Sequence, residues 1–353
     1  MHMVRKKATI TDVARESGVS ISTVSYVMNG KRSISEETCE KVLEVARRLH
    51  YVPRDKVLAQ ELGLLPGRKH APTKVIALSS PVHRYTDYTN YASFFFALAQ
   101  RARRRGYDIL LLMHEKGDEE LIRVVDRHMV DGILLLDVLL EDSRADVAKE
   151  LSLPVVSVGY PINTSGLWAV DLDFAGMGRE SIDKLREYGH ENVLIIGGID
   201  TAYHDEANYL MRYRDSAIDY ARCKGITTQF ATLSEYNRES MERTLDDAFS
   251  RKNSPTALIW MGSSAGATIL MEILHDRKMN VPEDISVLAA CTYGVSHLAH
   301  PMDEIPMDPS KTCKRAVDVI VDVLEGKRTD KGTVELLPSA YISRGTVGKV
   351  VHR

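Results

Sequence analysis

Two clusters of residues have types and spacing that could do chemistry. The first is Gly262-Ser263-Ser264-Ala265-Gly266, a G-x-S-x-G pentapeptide lying between an apolar run and a helical pattern from Ala267 to about Leu274. That context suits a nucleophile elbow, whose strained turn needs small flanking residues. Asp284 and either His297 or His300 would supply the order Ser…Asp…His. No oxyanion-hole loop of the HGGG type precedes it, so hydrolysis by Ser264 is carried only as an alternative function. His297 and His300 are also spaced like metal ligands, but in a Pro-flanked loop without an acidic pair, and no metal or other cofactor is expected. The second cluster is Ser20, Ile21, Ser22, Thr23, Ser25 and Tyr26. Short hydroxyls at a helix start suit phosphate oxygens, aided by backbone N–H groups. Ile21, Ser22 and Tyr26 fall on the exposed face and could reach base edges.

These hydroxyls need a short helix to present them, and the first fifty residues supply one. Thr9 is a good N-cap with Asp12 in capping-box spacing, Val13 and Ala14 face inward, and Gly18 ends the first helix. Ser20 caps the second helix, with Thr23 at its third position, and Asn29-Gly30 stops it. Ser35 caps a third, which runs through Val42, Val45, Ala46 and Leu49. The pattern matches a helix-turn-helix, whose second helix enters the major groove N-terminus first. A plain three-helix bundle would carry the same caps.

Charge placement agrees with a nucleic-acid reader. The chain of 353 residues has net charge -3, yet residues 1–54 carry +4 and the rest -7. A basic head on an acidic body fits DNA as partner. No stretch approaches the ~20 apolar residues of a membrane span, and no apolar signal segment follows the basic N-terminus. A cytoplasmic protein is expected, on the bacterial nucleoid when bound to DNA. Cys39, Cys223, Cys291 and Cys313 show no C-x-x-C spacing, so reduced thiols are expected.

The run Thr9-Ile10-Thr11-Asp12-Val13-Ala14…Gly18-Val19-Ser20…Ser22-Thr23-Val24-Ser25…Asn29-Gly30, continuing through Ser35-Glu36-Glu37-Thr38 and Leu49-His50-Tyr51-Val52-Pro53, resembles the head of the LacI/GalR repressor family. The resemblance extends more loosely along nearly the whole chain. It implies DNA contacts from Thr9, Ser20, Ile21, Ser22, Thr23, Ser25, Tyr26 and Asn29, and a homodimer on a near-palindromic operator. Two departures stand out. The family usually has Arg at the Tyr26 position, and only an Arg can grip guanine O6/N7 bidentately. The family also has Pro-Asn in the hinge, with a Leu seven residues after the Pro that wedges into the minor groove. Here Arg54 follows Pro53 and Gln60 takes the seventh place, so Leu58 or Leu62 would have to serve.

From Lys74 onward, apolar runs alternate with amphipathic helices, which means parallel sheets covered on both faces. The pattern occurs twice, with a break near Asp171–Phe174. The expected fold is an all-α helix-turn-helix head plus an α/β two-lobed, periplasmic-binding-protein-like core of two doubly wound parallel sheets. The head spans 1–52, the hinge 53–72 and the effector-binding and dimerisation domain 73–346. Its first lobe is about 73–172 plus 304–333, its second about 173–303 plus 334–346, and 347–353 forms a tail. No heptad repeat closes the chain, so a dimer is preferred over a tetramer.

Ligands of such folds bind at strand C-termini between the lobes. The loop with Tyr85, Asp87, Tyr88, Asn90 and Tyr91 mixes aromatic rings with polar groups and suits a sugar, although tyrosines also favour interfaces. Asp137, Tyr203, Asp205, Tyr209, Tyr236, Trp260, Thr292, Met307 and Asp308 lie at other strand ends or nearby loops. Charged sugar clamps usual in the family are missing: Gly262-Ser263 replaces Asn-Asp, Cys291-Thr292 replaces Asp-Asp, Tyr209 replaces Arg, and Gly159 and Met307 replace Asp and Gln. An unpaired sugar hydroxyl costs ~1–3 kcal/mol, so a more aromatic, less charged pocket is expected, for an oligosaccharide, a glycoside or a non-sugar metabolite. The run Arg101, Arg103, Arg104, Arg105 reads as a solvated helix end. A bare solute-binding protein is the other alternative, disfavoured by the basic head.

Overall fold

The computed structural model describes residues 8–29, 34–49, 51, 53, 72–83, 88–114 and 117–350, with backbone alone for 36 and 88–90. The chain separates into two compact units, 1–72 and 73–353. In the first, α1 (Ile10–Ser17), α2 (Ile21–Met28) and α3 (Glu36–Arg48) form a three-helix unit. Thr9 caps α1 through a full capping box with Asp12, and Gly18 turns the chain away with φ +68°, a conformation glycine adopts without steric cost. Val13, Ala14, Val24, Val27, Met28, Val42, Val45 and Ala46 make its core.

The second unit holds two wholly parallel sheets. The first contains β1 (Val75–Pro81), β2 (Asp108–His114), β3 (Gly132–Leu135), β4 (Val155–Val158), β5 (Trp168–Leu172) and β11 (Val334–Leu337) in the order β11-β5-β4-β3-β1-β2. The second contains β6 (Asn192–Ile199), β7 (Thr227–Leu233), β8 (Ala257–Trp260), β9 (Ser286–Ala290) and β10 (Asp303–Ile305) in the order β10-β9-β8-β6-β7. Strands buried on both faces read as unbroken apolar runs, which is why β3, β4, β8 and β9 were visible in the sequence. On the first sheet, α4 (Tyr88–Arg104) and α12 (Pro309–Leu324) share one face. The other face carries α5 (Asp118–Asp126) and α6 (Ser143–Glu150). The second sheet lies between the pair α7 (Phe174–Glu187) and α9 (Asn208–Cys223) and the pair α10 (Arg238–Ser250) and α11 (Ser264–Asp276). Short α8 (Asp200–His204) follows β6.

Three segments cross between the lobes, at Asp173, at 306–308 and at 338–341. They are tied together, because Asp173 N–H donates to Leu337 C=O (2.9 Å) and Ser339 Oγ to Pro306 C=O (2.7 Å). The lobe boundaries differ from those expected at two places. β10 joins the second sheet through β9, although residues from 304 were assigned to the first lobe. β11 joins the first sheet through β5, although 334–346 were assigned to the second. Both are short strands, β11 placed by a partner far away in sequence and β10 by the strand just before it. Residues 347–350 are also no loose tail: Val347 is buried, and Gly348 N–H donates to Ser286 Oγ. Arg101 and Arg105 are not a solvated helix end either, since both pair with Asp318 of α12.

Candidate DNA interface and ligand cleft

The N-terminus of α2 carries a compact hydroxyl cluster. Ser20 Oγ accepts from Thr23 N–H (3.1 Å) and lies 2.7 Å from Ser22 Oγ and 2.8 Å from Thr23 Oγ1. Such groups, with the free N–H ends of the helix, form a ready receptor for a phosphate. Ile21 and Tyr26 are 49% and 45% exposed, too much for core residues, and Ser22 is exposed beside them. Val24, Val27 and Met28 are buried on the opposite side, so the helix divides into a packed face and an open face. Ser25 is half-buried and its carbonyl accepts from Asn29 Nδ2 (2.7 Å), which makes Asn29 the closing cap of α2. Thr9 is the exposed cap of α1. Leu58 and Leu62 lie outside the described residues.

Within the second unit, a cavity of about 110 Å³ opens between the two sheets at their strand C-termini. Of the expected residues, Tyr91, Asp137, Tyr209, Tyr236 and Met307 line it. They are joined by Phe94, Gly159, Asp171, Phe174, Asn208 and Cys291, among others, none of them among the expected contacts. The remaining candidates serve elsewhere. Trp260 is fully buried, with its indole N–H donating to Ser263 C=O (3.0 Å). Tyr203 packs edge-on against Phe230 behind the cleft. Asp205 is exposed at the end of α8, Asp308 caps α12 by accepting from Ser310 N–H (2.8 Å), and Thr292 is buried behind the wall. Tyr85 and Asp87 lie outside the described residues. Tyr88 and Asn90 belong to the first turn of α4, and only their backbone is described.

The lining is aromatic, as expected, but more charged than expected. Asp137 and Asp171 are both buried and no lysine or arginine lines the cavity among the described residues. Burial pushes the Asp137 carboxyl above the usual carboxylate range, against the pull of Tyr91, His83 and Arg144. Burial likewise lifts Asp171 to about 7, opposed by the Leu172 N–H, Arg212 and Asn208. The Oδ2 atom of each carboxylate makes no hydrogen bond, although His83 Nε2 stands 3.4 Å from that of Asp137. Asp137 and Cys291 face the cavity from opposite lobes with φ +54° and +55°. Such left-handed conformations in non-glycine residues cost free energy and concentrate at functional sites.

The G-x-S-x-G pentapeptide has another explanation. Ser263 is the N-cap of α11, accepting from Gly266 N–H (3.1 Å), and Ser264 is the first residue of that helix with no left-handed φ. A Cβ on Gly262 or Gly266 would strike the Trp260 ring. The small residues make room for the indole rather than for a strained nucleophile.

A three-helix unit with an open hydroxyl-rich helix start, followed by two parallel-sheet lobes around a ligand-sized cleft, defines a DNA-binding transcription regulator with an effector-sensing body. Comparison with known proteins agrees. Residues 9–54 match the model of bacterial regulatory proteins of the lacI family, and residues 182–347 that of the periplasmic binding protein-like domain. The HTH-type transcriptional repressor PurR of Vibrio vulnificus (strain CMCP6) is 27% identical over 354 residues, covering 97% of this chain and 99% of the relative. The transcriptional regulator CelR–cellobiose complex shares the fold with a TM-score of 0.65 at 21% identity, over 96% of this chain and 99% of that one. The lac repressor dimer bound to operator and the anti-inducer ONPF does so with a TM-score of 0.64 at 21% identity, over 97% and 100%. The chain belongs to the LacI/GalR family of transcriptional regulators, and its relatives are regulators rather than enzymes.

Proposed function

We propose that this protein is a homodimeric repressor that binds a near-palindromic operator and responds to a small carbohydrate-related effector held between its lobes. The hydroxyl cluster at the start of α2 carries the reading, because exposed Ser20 and Ser22 and half-buried Thr23 gather their hydroxyls at an open helix end. Thr9, Ser25 and Asn29 position that helix or touch the backbone, Ile21, Ser22 and Tyr26 meet base edges, and Leu58 or Leu62 wedges the minor groove. The relatives named repressors and the cellobiose-bound neighbour support the function and the effector class. A cavity of about 110 Å³ is small beside the roughly 300–1,000 Å³ of common ligand pockets. It suits a single ring, and a longer saccharide requires the lobes to part. The protein acts in the cytoplasm and on the nucleoid when bound. Among the described residues no helix is long and apolar enough to cross a membrane.

Effector and operator act by linkage, each changing the affinity for the other by the same factor. The test is selection of bound sequences from random duplexes, repeated with sugars added. Recovery of a two-fold symmetric site, lost in a Ser20→Ala, Ser22→Ala, Thr23→Ala variant that still folds, is expected. Failure to retain any duplex would remove the assignment.

A further inference from the structure

We infer that the ligand of the cleft carries an ammonium group, held between the carboxylates of Asp137 and Asp171 and against the surrounding aromatic rings. The inference rests on the reading of this cleft as the effector site and narrows its chemistry. Sheet register sets the geometry. β3 pairs with β4 at Leu135 and Ser157, and β4 pairs with β5 at Val158 and Val170. Continuing each register to the strand ends puts Asp137, Gly159 and Asp171 in one row. Strands lie ~4.8 Å apart, so the outer two backbones stand roughly 10 Å from each other. Gly159, between them, has φ +95°, and a Cβ there would come within 3.3 Å of Asn208 Nδ2 and 3.4 Å of Val138 Cβ. Gly159 itself therefore puts no side chain between the two carboxylates, and the Asn208 amide and Val138 are the groups that close in on that position.

Each carboxylate has one buried oxygen without a hydrogen bond, which a ligand's donor would satisfy, with His83 Nε2 standing 3.4 Å from that of Asp137. A charged donor fits better than a hydroxyl because the neighbouring protein cations are already engaged. Arg144 is spent on Asp142 (2.7 Å) and on the carbonyls of Ser79, Leu136 and Asp137. The Arg212 guanidinium stacks 3.6 Å over Tyr160 and bonds Asn208 and the Tyr160 carbonyl. His83 and Tyr91 attend Asp137, and Asp173 and Cys291 stand near Asp171. Tyr91, Phe94, Phe174, Tyr209 and Tyr236 complete the wall, and aromatic faces attract cations. Burial favours protonated carboxyls here, and an ammonium takes the place of that proton.

Calorimetric titration of the full chain with two matched pairs tests this: glucosamine against glucose, and 1,4-diaminobutane against 1,4-butanediol. In at least one pair the ammonium member should bind about tenfold or more tighter, as charge-assisted bonds are roughly twice as strong as neutral ones. Its binding at pH 7 should release protons, read as a heat that differs between phosphate and Tris buffers. Asp137→Asn and Asp171→Asn, each folded by circular dichroism, should each abolish the preference. No ammonium preference in either pair, absence of binding by both amines included, overturns the inference. A neutral sugar that binds and alters operator affinity would leave the effector reading standing while this one falls. An amine that binds without touching operator affinity would do the reverse.

Discussion

Asp171 couples the cleft to the stability of the lobe that carries it. Its carboxyl titrates near 7 in the folded chain but near the ordinary 3.8 when unfolded. Between these values the native state binds more protons than the unfolded state, so stability falls as pH rises from about 4 to about 7 and stays reduced above. The full difference is up to about 4 kcal/mol, at ~1.4 kcal/mol per pKa unit. Asp171→Asn, which cannot ionise, should flatten this slope and raise the melting temperature at pH 8, measured by calorimetric melting with and without the substitution. A variant whose pH profile matches the parent would place the titration elsewhere. Tyr26 makes a different prediction at the other end of the chain. It stands 45% exposed on α2, where an arginine would offer two parallel donors to guanine. Tyr26→Arg should therefore shift base preference toward guanine at one position per half-site, by about 1–3 kcal/mol, scored by binding selection with both proteins. Unchanged preference would show that residue 26 does not read bases. The two residues differ in how far the sequence revealed them. Tyr26 is exposed by a local pattern of caps and apolar spacing. Asp171, Phe174 and Asn208 reach the cleft through strand register and interlobe crossings, which no local window contains. Asp205 and Asp308 were misread for the converse reason, because an acid after a strand is as apt to cap or end a helix as to face a ligand.

At the scale of elements, one buried ion pair connects α6 to the cleft. Arg144 and Asp142 are each about 4% exposed. The guanidinium also donates to the carbonyls at the ends of β1 and β3, including Asp137 itself (3.1 Å). It fixes the left-handed turn that aims Asp137 inward. Removing one member of a buried pair strands the other charge, at a cost of about 3–5 kcal/mol. Arg144→Leu should thus lower stability by that order in denaturant titration and weaken any ligand of the cleft, while Asp142→Asn should reproduce much of the loss. A change below about 1 kcal/mol, the range of surface pairs, would deny the pair this role. Element legibility followed length and apolar density. The two-sheet alternation and the helices were readable because buried parallel strands are continuous apolar runs. β10 and β11 were assigned to the wrong lobes because short strands that also carry acids, as at Asp303, Glu304 and Glu335, lack the apolar run by which the equally short β3, β4 and β8 were read. The same shortness hid the buried end of the chain at Val347.

At the scale of the whole molecule, the edge of the first sheet calls for a second copy. β2 is an outermost strand, and edge strands left bare invite pairing or coverage. Ile109 packs against the core cluster that contains Leu98 and Ala102 of α4, so by strand alternation Leu111 and Met113 point to the same side of the sheet. Both are exposed, at 40% and 47%, and Phe96 of the adjoining α4 is 76% exposed. Apolar groups gathered on one side of a sheet edge mark an interaction surface, and the proposed homodimer would use it. Phe96→Asp together with Met113→Glu should yield a folded monomer in light scattering, with effector binding retained, since neither residue lines the cleft. Operator affinity should then collapse, because a symmetric site needs two heads acting at once and a single head keeps only one half-site. The intact dimer should lose ~10³–10⁵-fold in affinity between ~50 and ~200 mM salt if it makes ~6–10 phosphate contacts, with the slope roughly halved in the monomer as half the contacts go. A dimer that survives both substitutions would move the interface to another face. A salt slope that did not change with oligomeric state would mean that a single head already makes every phosphate contact.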